Sequence, residues 1–227
     1  MADVKISTVI GRNVFFIGTF NDEWRGNEKF TAMASVWSEA MGIVNGHRQR
    51  ESEKLKPENV GWAETPSEWS NRIQRTGRDL KAMTKAQARL EGIAASLIEH
   101  EKQMPTLRPD RTDLAGAMVR KEIREKLAKL KPSEFVAALH EPDDQVLLAA
   151  LELPAAVSGT SIEMRRRLEE QAFRRANPPE RITELQAMHA ALEIAHNAVR
   201  AATAATRDGL TVQDQRELAV RSTEKAA

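Results

Sequence analysis

Histidines and carboxylates at helical spacing are the first residues in this chain that could do chemistry. His189, Glu193 and His196 stand at i, i+4 and i+7, which places all three on one face of a helix. Two imidazoles and a carboxylate so arranged could hold a metal ion if another helix supplied a further ligand. Both histidines, however, continue the apolar series of Leu185 and Leu192, a setting in which half-buried histidines serve as packing, so no metal is expected. Glu141, Asp143 and Asp144 could pair for acid–base work or cation binding. They flank Pro142 and read more simply as turn and N-cap residues. Cysteine is absent, which removes thiolate nucleophiles, thiolate metal sites and disulfides, and fits a reducing compartment or a particle assembled in one. The chain has no phosphate-cradling glycine loop, no G-x-S-x-G elbow and no paired zinc spacing. The expectation is a protein that is not an enzyme, with no catalytic residue, cofactor or small-molecule substrate.

Two basic runs remain. Arg120, Lys121, Arg124, Lys126, Lys129 and Lys131 face only Glu122 and Glu125, six cations against two carboxylates. Arg165, Arg166, Arg167, Arg174 and Arg175 are interleaved with Glu163, Glu169 and Glu170. Side chains of this kind contact phosphates. A nucleic-acid-binding or regulatory protein using Arg120, Lys121, Arg124 and Lys131 is therefore the alternative reading. Against it, 34 basic and 33 acidic side chains leave a net charge of +1, so no global field attracts nucleic acid. Base-stacking aromatics and helix–turn–helix spacing are also missing from these runs. Solvated helix faces account for them more simply.

The element that must position everything else runs from Thr65 to Met104. Thr65-Pro66-Ser67-Glu68 is a capping box with proline at the first helical position. Trp69, Ile73, Thr76, Leu80, Met83 and Gln87 follow at alternating steps of four and three, and Leu90, Ala94, Leu97, Glu101 and Met104 continue the series. That is a heptad seam of about five repeats on a helix roughly 58 Å long. So narrow a stripe must lie on another helix, from this chain or from a second copy. The helix from Ile182 to about Thr206, alanine- and threonine-rich in its second half, is the expected antiparallel partner. Parallel self-association of the long helix is the lesser alternative, because Gln87 and Glu101 occupy seam positions.

Before this helix, Val4, Ile6 and Thr8 alternate with polar residues, Gly11-Arg12-Asn13 offers a turn, and Val14-Phe15-Phe16-Ile17 follows: a β-hairpin. Phe30, Met33, Trp37, Met41 and Val44 mark a helix ending near Gly46, and His47 to Lys56 reads as a solvated end or linker. All four tryptophans (Trp24, Trp37, Trp62, Trp69) fall in the first seventy residues and predict a small aromatic core, with a subunit interface as the sharper reading. After Pro105 the pattern predicts a helix capped by Thr112 or Asp113, with Leu114, Met118, Ile123, Leu127 and Leu130 inward. Short helices follow over Ser133 to His140 and Asp144 to Leu151, then one opened by Thr160-Ser161-Ile162-Glu163 and a last, polar, fraying helix from Thr211. All nine prolines fall at predicted starts, ends or turns.

The stretch Val146 to Arg175, VLLAALELPAAVSGTSIEMRRRLEEQAFRR, with Asn177-Pro178-Pro179-Glu180 after it, resembles a segment of uncharacterised helical proteins encoded among phage and prophage structural genes. The resemblance implies a virion or assembly component and carries over no functional residue. The fold expectation is a mainly α protein: an antiparallel helix bundle or coiled-coil hairpin around one long helix, with a small N-terminal β-hairpin. Residues 1–60 form the hairpin-plus-helix region, 61–210 the bundle and 211–227 a polar C-terminal helix or tail. Contacts with other copies and other particle proteins are expected along Phe15, Phe16, Trp24, Trp37 and Trp69, and along Ile73, Leu80, Leu90 and Leu97. No apolar run approaches membrane-spanning length and the first residues lack a basic leader, so a cytoplasmic product without membrane contact, then incorporated into a virion, is expected.

Overall fold

Thr65 starts the long helix as its sequence requires. In a computed structural model that describes residues 7–10, 13–21, 24, 27–56, 63–110 and 112–224, the Thr65 N–H donates to Glu68 Oε2 at 2.8 Å, and the Glu68 N–H donates to Thr65 Oγ1 at 3.3 Å. The strands are β1 (Ser7–Ile10) and β2 (Asn13–Phe16). The helices are α1 (Glu28–Lys54), α2 (Pro66–Gln103), α3 (Leu114–Leu127), α4 (Pro132–Ala138), α5 (Asp144–Glu152), α6 (Ala155–Ser158), α7 (Ile162–Ala176), α8 (Pro179–Arg207) and α9 (Val212–Glu224). The protein is a mainly α bundle built on one long helix, with a two-stranded antiparallel hairpin at its N-terminal end. Val4, Ile6, Gly11, Arg12 and Trp62 lie outside the described residues.

The chain divides into two compact units, residues 1–99 with 186–227, and residues 100–185. This differs from a division at 60 and 210. The second half of α8, with α9, belongs with the N-terminal elements, while residues 100–185 close a core of their own.

In the first unit, α2 buries Ile73, Thr76, Met83, Ala86, Leu90 and Leu97. The seam therefore moves by one residue at its centre, where Ala86 goes inside and Gln87, half-buried, donates to Glu91. This seam is taken up by the chain's own bundle, so Ile73, Leu90 and Leu97 are not surface for a second copy. On α8, Ala191, Ala195, Ala198, Ala202 and Ala205 are buried at steps of four and three, a row of methyl groups that permits close backbone approach. Thr203 and Thr206 donate back to the Val199 and Ala202 carbonyls, so their hydroxyls are satisfied within the helix. His47, late in α1, pairs with Asp208 just past α8, and both line one cavity with Arg72 and Asp79 of α2. Both α1 and α8 therefore run antiparallel to α2.

Helix α1 does not stop at Gly46. The inward series Met33, Val36, Ala40 and Val44 continues to His47, which is itself buried, and that continuation carries the helix to Lys54. The aromatic core forms ahead of it: Trp24 stacks on Phe30 at 5.5 Å, and Phe20 meets Trp24 edge-on at 5.4 Å and Trp37 at 6.1 Å. In the hairpin Thr8 lies opposite Phe15 and Ile10 opposite Asn13. Thr8 and Ile10 point inward, and Arg48 of α1 ties the hairpin down through Thr8 Oγ1 and the Ser7 carbonyl, each at 2.9 Å. Gly18 (φ +77°) completes the join, since a Cβ there would sit 3.1 Å from Ile194 of α8.

In the second unit Leu127, Leu139, Leu147, Ala150, Leu168 and Ala172 make the core. Asp143 caps α5 by accepting from the Val146 N–H at 2.8 Å, and Ser161 caps α7 by accepting from the Met164 N–H at 3.1 Å. At the other end of α5 the Arg165 guanidinium donates to the Ala150, Leu151 and Leu153 carbonyls, filling acceptors that a helix leaves open. The expected phase of α3 is corrected. Leu114 and Met118 are 77% and 68% exposed and Leu130 is also outward, while Arg120 is buried. The cause is Glu152 on α5, which draws Arg120 and Arg124 inward.

The alanine row yields a direct test. Ala198→Leu should lower unfolding free energy by about 1–3 kcal/mol through overpacking. Ala190→Leu, on the exposed face of the same helix, should leave it within about 0.5 kcal/mol. Urea titration monitored by circular dichroism measures both.

Candidate functional site

Two surfaces gather residues that could carry function, and both lie in the first unit. One is the outer face of the hairpin. Phe15 and Phe16 point to opposite faces, as strand alternation demands: Phe15 is half-buried, whereas Val9, Val14 and Phe16 are 66%, 56% and 62% exposed. Beside them a cavity of about 520 Å³ is lined by Asn13, Val14, Phe15, Phe16, Asn197 and Arg200, so the apolar face of the hairpin meets a polar side of α8. Trp24 and Trp37 are half-buried within the aromatic core, and Trp69 and Leu80 are half-buried on α2.

The other is a charged cleft of about 470 Å³ between the end of α1, the start of α2 and the end of α8. His47 Nε2 lies 3.3 Å from an Asp208 carboxylate oxygen. A histidine oriented by an aspartate is part of an acid–base arrangement, but the Thr206 hydroxyl in the same cleft is engaged by the Ala202 carbonyl. Burial lifts the Asp79 carboxyl above its ordinary value against the pull of Arg50, Arg75 and Arg78. Burial, reinforced by the charge of Arg75, lowers Arg50. Charges of both signs line the walls, so the cleft has no single-sign field.

Arg72 of this cleft is bonded to Asp214, which does not itself line it and which the sequence placed in the first turn of a fraying helix. Asp214 is 1% exposed. Trp69 Nε1 donates to it at 2.8 Å, Arg72 donates through Nη1 and Nη2 at 3.1 Å each, and the Thr211 N–H donates at 2.9 Å. Burial alone would raise this carboxyl; the donors from Arg72, Thr211 and Trp69 outweigh it and hold the group well below the usual carboxylate range. Arg72 is raised above its ordinary value by its bonds to Glu64 and Asp214. Helix α9 is thus anchored, not frayed: Arg221 also reaches Ser70, and Leu218 lies over Gly77. The sequence signal was the Thr211-x-x-Asp214 capping box, whose acid here serves two masters, its own helix and α2.

The remaining candidates separate. Of the four basic residues, Lys121 and Lys131 are exposed, while Arg120 and Arg124 are turned onto Glu152. His189 and Glu193 are exposed and His196 is half-buried, so the two histidines do not share one burial state. No group of three or more His, Asp or Glu side chains among the described residues could hold a metal. Asp143 is an N-cap and Asp144 pairs with Arg175 at 2.6 Å. No described helix is long and apolar enough to cross a membrane. No family model, curated protein or solved structure matches this chain.

Asp214→Asn should cost about 2–3 kcal/mol, because Arg72 and Trp69 lose the charge they were arranged to meet. The folded carboxyl titrates below its unfolded value of about 3.9, so its contribution is complete at neutral pH and declines as pH falls below roughly 5. Thermal midpoints measured from pH 7 to pH 3 should show a shallower acid limb in the variant than in the wild type.

Proposed function

We propose that this protein is a non-enzymatic structural or assembly component that acts in multiple copies, as part of a phage particle in the head, neck or tail. The observation that carries the reading is the hairpin's outer face, where Val9, Val14 and Phe16 stand in solvent while Thr8 and Ile10 behind them are buried. A two-stranded sheet is marginal alone, and its edges can accept a further strand. Apolar surface of this kind next to unpaired strand edges marks a contact site. Its partners are other copies of the chain and other proteins of the particle. The virion setting rests on the resemblance of the Val146 to Glu180 stretch, and the protein reaches the particle from the cytoplasm of the producing cell. With Arg120 and Arg124 engaged by Glu152, the basic face offers less to nucleic acid than its sequence promised.

Phe16→Ser should leave the thermal midpoint unchanged and weaken self-association in sedimentation equilibrium. Phe15→Ser should lower stability by about 1–2 kcal/mol, since part of that ring is buried. Negative-stain images of the wild type, alone and mixed with particle proteins, should show ordered assemblies. A wild type that stays monomeric and joins no particle protein overturns the proposal.

A further inference from the structure

The second unit contains a cavity of about 240 Å³ among α3, α4, α5, α6 and Thr160 just after α6. Leu127, Phe135, Leu139, Ala150, Leu153 and Val157 supply its apolar surface. Leu139 and Ala150 are core residues, while Val157 is exposed, so the cavity runs from the core to solvent. Ser158 and Thr160 also line it, but their hydroxyls bond to each other at 2.8 Å, which leaves an ordered water few of the two to four polar partners it needs.

The rim has a different character. Lys121, Arg124 and Glu125 of α3 also line the cavity, and Arg120 next to them shares the Glu152 carboxylate with Arg124, so three cations stand against two carboxylates. Arg124 is bound to Glu152, which does not line it. Lys121 is exposed and comes no nearer than 4.0 Å to Glu125, so its ammonium keeps most of its donor capacity. An apolar interior ending at a net positive rim is complementary to an anion with a hydrocarbon tail. A cavity of about 150 Å³ admits benzene, and at roughly 30 Å³ per water-sized group the present one holds a chain of about eight carbons.

We propose that this cavity binds a medium-chain carboxylate, with its tail against Leu127, Leu139 and Leu153 and its head group at Lys121 and Arg124. The site is independent of the hairpin and of the proposed assembly role. It needs no second copy.

Titration calorimetry of the full chain with octanoate tests it, with octylammonium as the probe of opposite charge. Octanoate should bind one-to-one and at least about fivefold more tightly than octylammonium. Val157→Trp, at an exposed position, should obstruct the cavity and weaken octanoate at least tenfold. Lys121→Glu should abolish or invert the preference for the anion. Both variants should keep the wild-type circular dichroism spectrum, and methyl resonances of Leu127 and Leu139 should shift with octanoate in the wild type. The proposal is overturned if octanoate does not bind, if it binds without moving those resonances, if octylammonium binds equally well, or if Val157→Trp binds octanoate as the wild type does.

Discussion

A carboxylate almost without water has to be matched donor for donor, and the first unit closes around that requirement. Asp214 has about four lone-pair sites, and Trp69, the two Arg72 nitrogens and the Thr211 N–H fill them. Each donor comes from an element with its own reason to be there. Trp69 and Arg72 lie in the first two turns of α2, whose start is fixed by Thr65 and Glu68, and Thr211 is the cap of α9 itself. Removing any one partner leaves charge or polar groups uncompensated in a place that water does not reach. The same network orders Arg72 against Glu64, and with it one wall of the charged cleft.

The second unit solves a similar problem differently. Glu152, near the end of α5, is met by Arg120 and Arg124 from two successive turns of α3. Arg165 meanwhile occupies the open carbonyls beside it. Three arginines thus converge on the last turn of one nine-residue helix, where the negative end of the backbone dipole also lies. A helix so short has little stability from propensity. Charge at its terminus and the burial of Leu147 and Ala150 hold it in place.

These two networks also mark the boundary of what the sequence could reveal. The long helix was legible because cap, proline and heptad all act within a few residues of one another, and the prolines punctuate the rest in the same local way. The hairpin was legible through the period of two, which in any strand turns adjacent residues such as Phe15 and Phe16 to opposite faces. Asp214 was read only as part of a polar, fraying helix, because its capping role is local while Trp69 and Arg72, about 140 residues earlier, leave no trace near it. The phase of α3 held at Ile123 and Leu127 and failed at Leu114, Met118 and Leu130 for the same reason. Leu114, Met118 and Leu130 outvote Arg120 in any count of apolar residues, yet a half-buried acid on another helix pairs with the arginine and turns it inward. At Gly46 the local breaker signal lost to the inward step from Val44 to His47. Candidate sites made of long-range pairs were therefore the least readable part of the chain.

The alanine row on α8 bears on how the protein responds to temperature. Each buried alanine removes only one methyl group from water, so this helix contributes close-range dispersion more than apolar area. The heat-capacity change of unfolding tracks the apolar area newly exposed. The alanine face of this helix consequently adds little to the heat-capacity increment, which in the first unit comes from larger buried side chains such as Phe30, Met33, Ile73 and Leu90. Exchanging these alanines for leucine would raise that increment and steepen the curvature of stability with temperature, besides overpacking the seam.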